Sequence, residues 1–332
     1  MTTPEHTLDL SRWSESPLGV MHRRWVMVST GLRHLLRTRF FRGLVFLAWS
    51  LGFGLAAAGF LFTQSIATGG WLDSLAADQG PRVQAVVSAF TALVLLYPDI
   101  LIGGMFTLLF WAHAQAGLLL SLVALSALVP NLITRDRASN ALAIYLSRPI
   151  TSLDYLLGKF GIVVGVLVLV WTGPLLFAWT LSMLVSPDMD FVVYSLEPLG
   201  RALLFNGIGL ATLAPIALGV SSLARSSRVT AFVWIAVWII AGGIARFPTT
   251  PDWMRAASFS YNLSNVHDLV FNLPAVLSKA AQSLPMLSAD IATGLNQMAD
   301  QTRIQSLDTA VIGLPMLVAL SLFLLFRRLR LE

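Results

Sequence analysis

A chain of 332 residues with 56% hydrophobic and 12% charged side chains, and a mean hydropathy of +0.74, carries more apolar surface than a water-soluble globule can bury, so it reads as an integral membrane protein. The net charge of +5 does not point to nucleic acid, because the arginines stand beside the ends of apolar runs, where anionic lipid headgroups are the natural partner. The absence of cysteine excludes a disulfide scaffold, thiol catalysis and cysteine-based metal sites.

In chain order, residues 1–20 form a polar leader without an evident cleavable signal. Residues 21–42 then set Arg33, Arg37 and Arg39 among Leu32, Leu36, Phe40 and Phe41. Helical spacing gives this stretch one apolar and one cationic face, as in a helix lying in a membrane surface with its arginines as interfacial anchors. A plain positive anchor before the first span is the simpler alternative.

Residues 43–63, 101–134, 160–185, 202–224, 229–245 and 309–326 are uncharged apolar runs. At ~1.5 Å per residue, runs of about 17–26 residues reach across the ~30 Å hydrocarbon core, which predicts six spans within one membrane domain, 43–332. The second is ambiguous, since apolar character extends from 86 to 133 and only Pro98 and Asp99 interrupt it. Charge decides the matter. Residues 1–42, 134–159, 225–228 and 327–332 together hold 16 Lys and Arg against 6 Asp and Glu, whereas the remainder holds 6 against 11. The positive-inside rule makes the first set cytoplasmic, with both termini inside, and requires an odd number of crossings between residues 63 and 135. Residues 86–102 are therefore expected as an outer-face interfacial or re-entrant segment, and helix two over about 104–130.

Residues 135–160 are a charged, helix-forming island between two spans. Ser139 can cap a short helix on which Ala141, Leu142, Tyr145 and Leu146 make one apolar stripe, and Pro149 ends it. Thr151 and Asp154 spell a capping box that opens a second helix.

This run resembles the loop between the second and third membrane helices of ABC-2 type transporter permeases. The matching pieces are Asp136, Leu142, Tyr145 to Pro149, and Tyr155 to Lys159; Asn140 and Ala141 stand where the family usually has Gly-Thr, and Ala143 where it usually has Glu. The resemblance implies an all-α integral membrane protein with six transmembrane helices, an N-terminal amphipathic elbow helix over 21–42, and here an enlarged outer segment over 246–308. It further implies a non-hydrolytic transmembrane subunit of an ATP-driven exporter in a bacterial-type cytoplasmic membrane, paired with a second copy or a homologous permease. Two ABC ATPase subunits would bring the ATP and Mg. The loop 135–159 would dock into them through Leu142, Tyr145 and Leu146, with Arg135, Asp136, Arg137, Ser139, Arg148 and Pro149 shaping and orienting the contact.

In-chain chemistry is not indicated. The Gly-Lys pair at 158–159 lacks the rest of a phosphate-binding loop, and the five histidines show no metal-ligand spacing. Polar groups inside spans are costly and tend to face a pathway or another helix. His113 and Gln115 lie about half a turn apart, so they cannot both face lipid. They are candidates either for interhelical hydrogen bonds or for a substrate route, with Asn206 and Thr172 as weaker ones. Gly161 and Gly165 make a small-residue face, suited to packing within the chain before a dimer seam. Pro174 and Pro215 are expected to kink their helices. The segment 246–308, with apolar stretches such as 269–277, suits short helices on or in the outer leaflet, forming a cap, a site for an extracytoplasmic accessory protein, or a passive insertion.

Two other classes remain open. An ion-coupled transporter usually shows internal repeats and intramembrane acids, and only Asp99 fits that description. A membrane scaffold or enzyme has no motif in its favour. Cargo is not legible beyond a lean toward amphipathic molecules.

Overall fold

The computed structural model describes residues 19–66, 71–139, 151–186, 189–283 and 289–330. Among them only helices occur: α1 (Val20–Leu36), α2 (Arg39–Ile66), α3 (Trp71–Gln79), α4 (Pro81–Leu96), α5 (Pro98–Leu132), α6 (Thr134–Ala138), α7 (Ser152–Leu184), α8 (Met189–Leu223), α9 (Ser227–Ala245), α10 (Asp252–Ala256), α11 (Phe259–Phe271), α12 (Leu273–Ser283) and α13 (Ala289–Arg330). Six are long and apolar enough to cross a membrane, namely α2, α5, α7, α8, α9 and the part of α13 from Thr309 onward.

The bundle is built around α5 and α8, whose apolar stretches are 61% and 67% buried, against 28%, 22% and 28% for α2, α9 and α13. The last three therefore present their apolar surface outward, which is tolerable only in lipid or against another subunit. At the centre, the Trp171 ring of α7 is fully buried between Gly117 of α5 and Gly209 of α8. A Cβ at 209 would stand 2.5 Å from the ring, so glycine on both flanks is what lets three helices close over an indole. Pro174 has no amide to continue the α-helical ladder of α7, and a π-helical turn, Val168–Thr172, precedes it. Pro215, by contrast, lies within an unbroken α8.

The start of helix two differs from expectation. Tyr97 separates α4 from α5, so the span begins at Pro98 and not near 104. Proline at the first helical position is pre-organised for a start, and Asp99 in the first turn meets the positive end of the helix dipole. The two residues that interrupt the apolar run are a helix beginning. The 16-residue α4 is too short to cross, and only Val94 on it is buried, so the odd number of crossings stands.

The outer segment also differs. Its last third is a continuous extension of the final span, since α13 begins at Ala289 and runs for 42 residues. Its middle is core: Phe259, Leu263 and Phe271 of α11 are at most 1% exposed, and the His267 Nε2–H donates to the Trp111 carbonyl of α5 at 3.1 Å. Asn272, in the left-handed conformation, closes α11 and turns the chain into α12. This segment is therefore not a detachable cap.

Candidate functional site

The island after α5 is fastened to its neighbours by groups that follow from helix-end chemistry. The last carbonyls of α8 have no intrahelical partner, and α6 supplies donors. Thr134 Oγ1 donates to the Ser221 carbonyl at 2.7 Å, and Arg137 Nη1 donates to the Ser222 carbonyl at 2.6 Å. A guanidinium at that end also complements the helix dipole. The Ile133 amide donates to Ser221 Oγ at 2.9 Å, and Thr134 Oγ1 lies 3.0 Å from Thr230 Oγ1 of α9. Thr134, Ser221, Ser222 and Thr230 are all buried.

Asp136 faces α7. Its carboxylate lies 2.6 Å from Lys159 Nζ and accepts the Tyr155 hydroxyl at 2.7 Å, while the ammonium stands 5.4 Å from the Tyr155 ring centre. Both charged side chains are largely shielded, at 17% and 18% exposure. The expected capping box is present. The Asp154 amide donates to Thr151 Oγ1 at 3.1 Å, and the Thr151 amide donates to the Asp154 carboxylate at 3.3 Å. The same carboxylate takes Arg24 Nε of α1 at 2.7 Å.

Among the residues expected to couple, Arg135 is exposed, whereas Asp136 and Arg137 bond within the chain and do not stand free at a rim. Ser139 closes α6, its hydroxyl donating to the Arg135 carbonyl at 3.0 Å. Leu142, Tyr145, Leu146, Arg148 and Pro149, and the short helix expected there, lie outside the described residues. The cluster Thr134, Ser221, Ser222 and Thr230 carries no motif in the sequence beyond hydroxyl residues at the ends of apolar spans.

Beside this cluster α1 lies along α7. Gly158, Gly161 and Gly165 share a face of α7, and ideal Cβ atoms there would approach Met27 Cε to 2.9 Å, Val28 Cγ2 to 2.5 Å and Leu32 Cδ1 to 2.8 Å. The small-residue face is thus a seat for α1, a packing surface within the chain. Arg33, Arg37 and Arg39 are exposed on or just after α1.

Midway along the bundle the polar residues separate. The buried His113 donates through Nε2 to the Trp171 carbonyl at 3.2 Å, and Asn206 Nδ2 donates to Thr172 Oγ1 at 3.4 Å, so both tie neighbouring helices to the π-helical turn. Trp49 of α2 joins them, its indole N–H donating to the Leu169 carbonyl at 3.1 Å. Gln115 instead lines an open groove of about 350 Å³ between α5, α9 and α11, with Leu118, Trp238, Arg246 and Ser260.

Residues 117–326 match the family of ABC-2 family transporter proteins. The chain belongs to that family. No curated protein matches it. The permease is accordingly a multi-pass membrane protein with a role in transport, and membership implies association with ABC ATPase subunits. The family match leaves out α1 to α4 and the first half of α5, with His113 and Gln115, and covers the fastened cluster, the Gly117 and Gly209 contacts of Trp171 and the rest of the groove lining.

Proposed function

We propose that this permease is the transmembrane subunit of an ATP-driven exporter, and that segment 135–160 is where a separate ATPase moves it. The observation that carries this reading is the fastening of α6 to three spans at once: Thr134 and Arg137 to α8, Thr134 to α9, and Asp136 to α7. A force applied to the loop cannot be absorbed locally and is passed to the bundle. Leu142, Tyr145 and Leu146 are the apolar anchors in the ATPase cleft, while Arg135 and Arg148 orient them and Pro149 sets the corner. Asp136 and Arg137 transmit motion inside the chain.

Two permeases, either two copies or a homologous pair, work with two ATPase subunits that hold ATP and Mg. The largely outward-facing α9 and the Gln115 groove beside it suit the side where the second permease closes a path. His113 and Asn206 serve packing. The segment with α6 lies on the cytoplasmic side of the inner membrane, and Arg33, Arg37 and Arg39 hold α1 at anionic headgroups. Purification of the tagged permease from its native membrane should bring down a P-loop ATPase whose activity rises in the complex. Transport by the permease alone in liposomes, driven by an ion gradient, would overturn the reading in favour of ion coupling.

A further inference from the structure

At the end of the bundle that carries α6, helix α1 leaves open space beside its glycine seat. Two adjoining cavities of about 420 and 400 Å³ lie between α1, the start of α2, the end of α5 and the start of α7, and share Gly31, His34, Lys159 and Ile162. That is the size range of small-ligand sites. The walls are apolar, formed by Met27, Leu35, Phe41, Leu128, Leu132 and Ile162.

Polar groups, among them His34, Thr38 and Asn131, interrupt these walls, and the formal charge of the lining is one-sided. The Lys159 charge is answered by Asp136 at 2.6 Å. Arg135 lines the same cavity, is exposed, and has no side-chain partner among the described residues. Arg37, Arg39 and Arg42 are exposed on the adjoining corner, and no acidic residue occurs between 20 and 66. A largely apolar slot lined by a guanidinium without a side-chain partner among the described residues fits a ligand with a hydrocarbon tail and a single negative charge.

We propose that this slot is a discrete site for an anionic phospholipid. Its acyl chain lies against Leu128, Leu132 and Ile162, its phosphodiester pairs with Arg135, and the three nearby arginines raise the local concentration of anionic headgroups. A zwitterionic lipid offers the same tail, but among the described residues its ammonium finds no free carboxylate there. The site rests on the chain crossing the membrane and on the grouping of charge at this end; it shares Arg135 with the proposed ATPase contact, and lipid retention by the permease purified without an ATPase tests it apart from that reading.

The test is lipid retention by the purified full-length permease in detergent, read by native mass spectrometry and by Tm during titration with phosphatidylglycerol, phosphatidylcholine or soluble glycerophosphoglycerol. One phosphatidylglycerol should bind at least tenfold more tightly than phosphatidylcholine, and the soluble headgroup should not compete. Arg135→Glu should abolish the preference, while Arg135→Lys, equally folded by Tm without lipid, should retain most of it. Arg82→Gln, on α4, should change nothing. Equal binding of the two lipids, an undiminished preference in Arg135→Glu, or competition by the soluble headgroup would each overturn the proposal.

Discussion

Replacing Asp136 with Ala leaves the Lys159 ammonium and the Tyr155 hydroxyl without their acceptor in a shielded site. The expected cost is about 1–3 kcal/mol, because an orphaned charge is worse than no charge. Adding Lys159→Met should recover part of that loss, and a double-mutant cycle on thermal unfolding in detergent measures the coupling. Strictly additive losses would show that the pair does not hold α6 to α7. Thr134→Val is expected to cost ~1–2 kcal/mol by stranding the Ser221 carbonyl, while the Thr230 hydroxyl keeps its bond to the Ser226 carbonyl, and Thr134→Ser much less. These residues also show what a sequence can disclose. The Thr151 and Asp154 box was legible because its partners lie three residues apart. Asp136 was legible as a polar group in a patterned island, but its direction depends on Lys159 in another helix, and outward and inward placements leave the same local pattern.

At the level of elements, the glycine face of α7 and the apolar side of α1 were both legible, but not that each is the other's partner. Gly161→Leu should overpack against Val28 at a cost of about 1–3 kcal/mol and loosen α1. Tryptic cleavage at Arg33 and Arg37 should then quicken, whereas Gly54→Leu, where an added Cβ meets nothing within 4 Å, should leave it unchanged. Unaltered cleavage in Gly161→Leu would mean that α1 is not held by this seat. Pro98 and Asp99 were misleading because the features that break a helix interior are the ones that favour its first turn. The outer segment was misjudged for a related reason: its prolines and short apolar runs look like a surface excursion, yet Phe259, Leu263 and Phe271 fill the space beside α5 and α8. Deleting residues 264–289 should therefore abolish a monodisperse permease in detergent. A shortened chain of wild-type stability would contradict the core role of α11.

For the whole molecule, the six spans were legible because length and hydropathy leave few alternatives once a bilayer is the solvent. The charge grouping that fixed their number agrees with the packing. Residues 134–137 and 221–230 meet at one end, where Gly219 also approaches Ser321 of α13, and the Asp99 and Lys279 pair marks the other. Single cysteines at Ser139, Ser226 and Glu332 should be shielded from an impermeant thiol reagent in intact cells, and those at Ser74, Asp188 and Ser283 should react; the reverse pattern would invert the orientation. The proposed coupling of this bundle to an ATPase through residues 135–160 is put to the test by the nucleotide-hydrolysis rate and recovery of the copurified ATPase with Leu142→Asp and Tyr145→Asp. A charge placed in an apolar cleft costs on the order of several kcal/mol of association, so both recovery and stimulation should collapse while the mutant permeases still insert and remain monodisperse. Wild-type recovery and stimulation in both mutants would show that the ATPase does not engage the permease through this island.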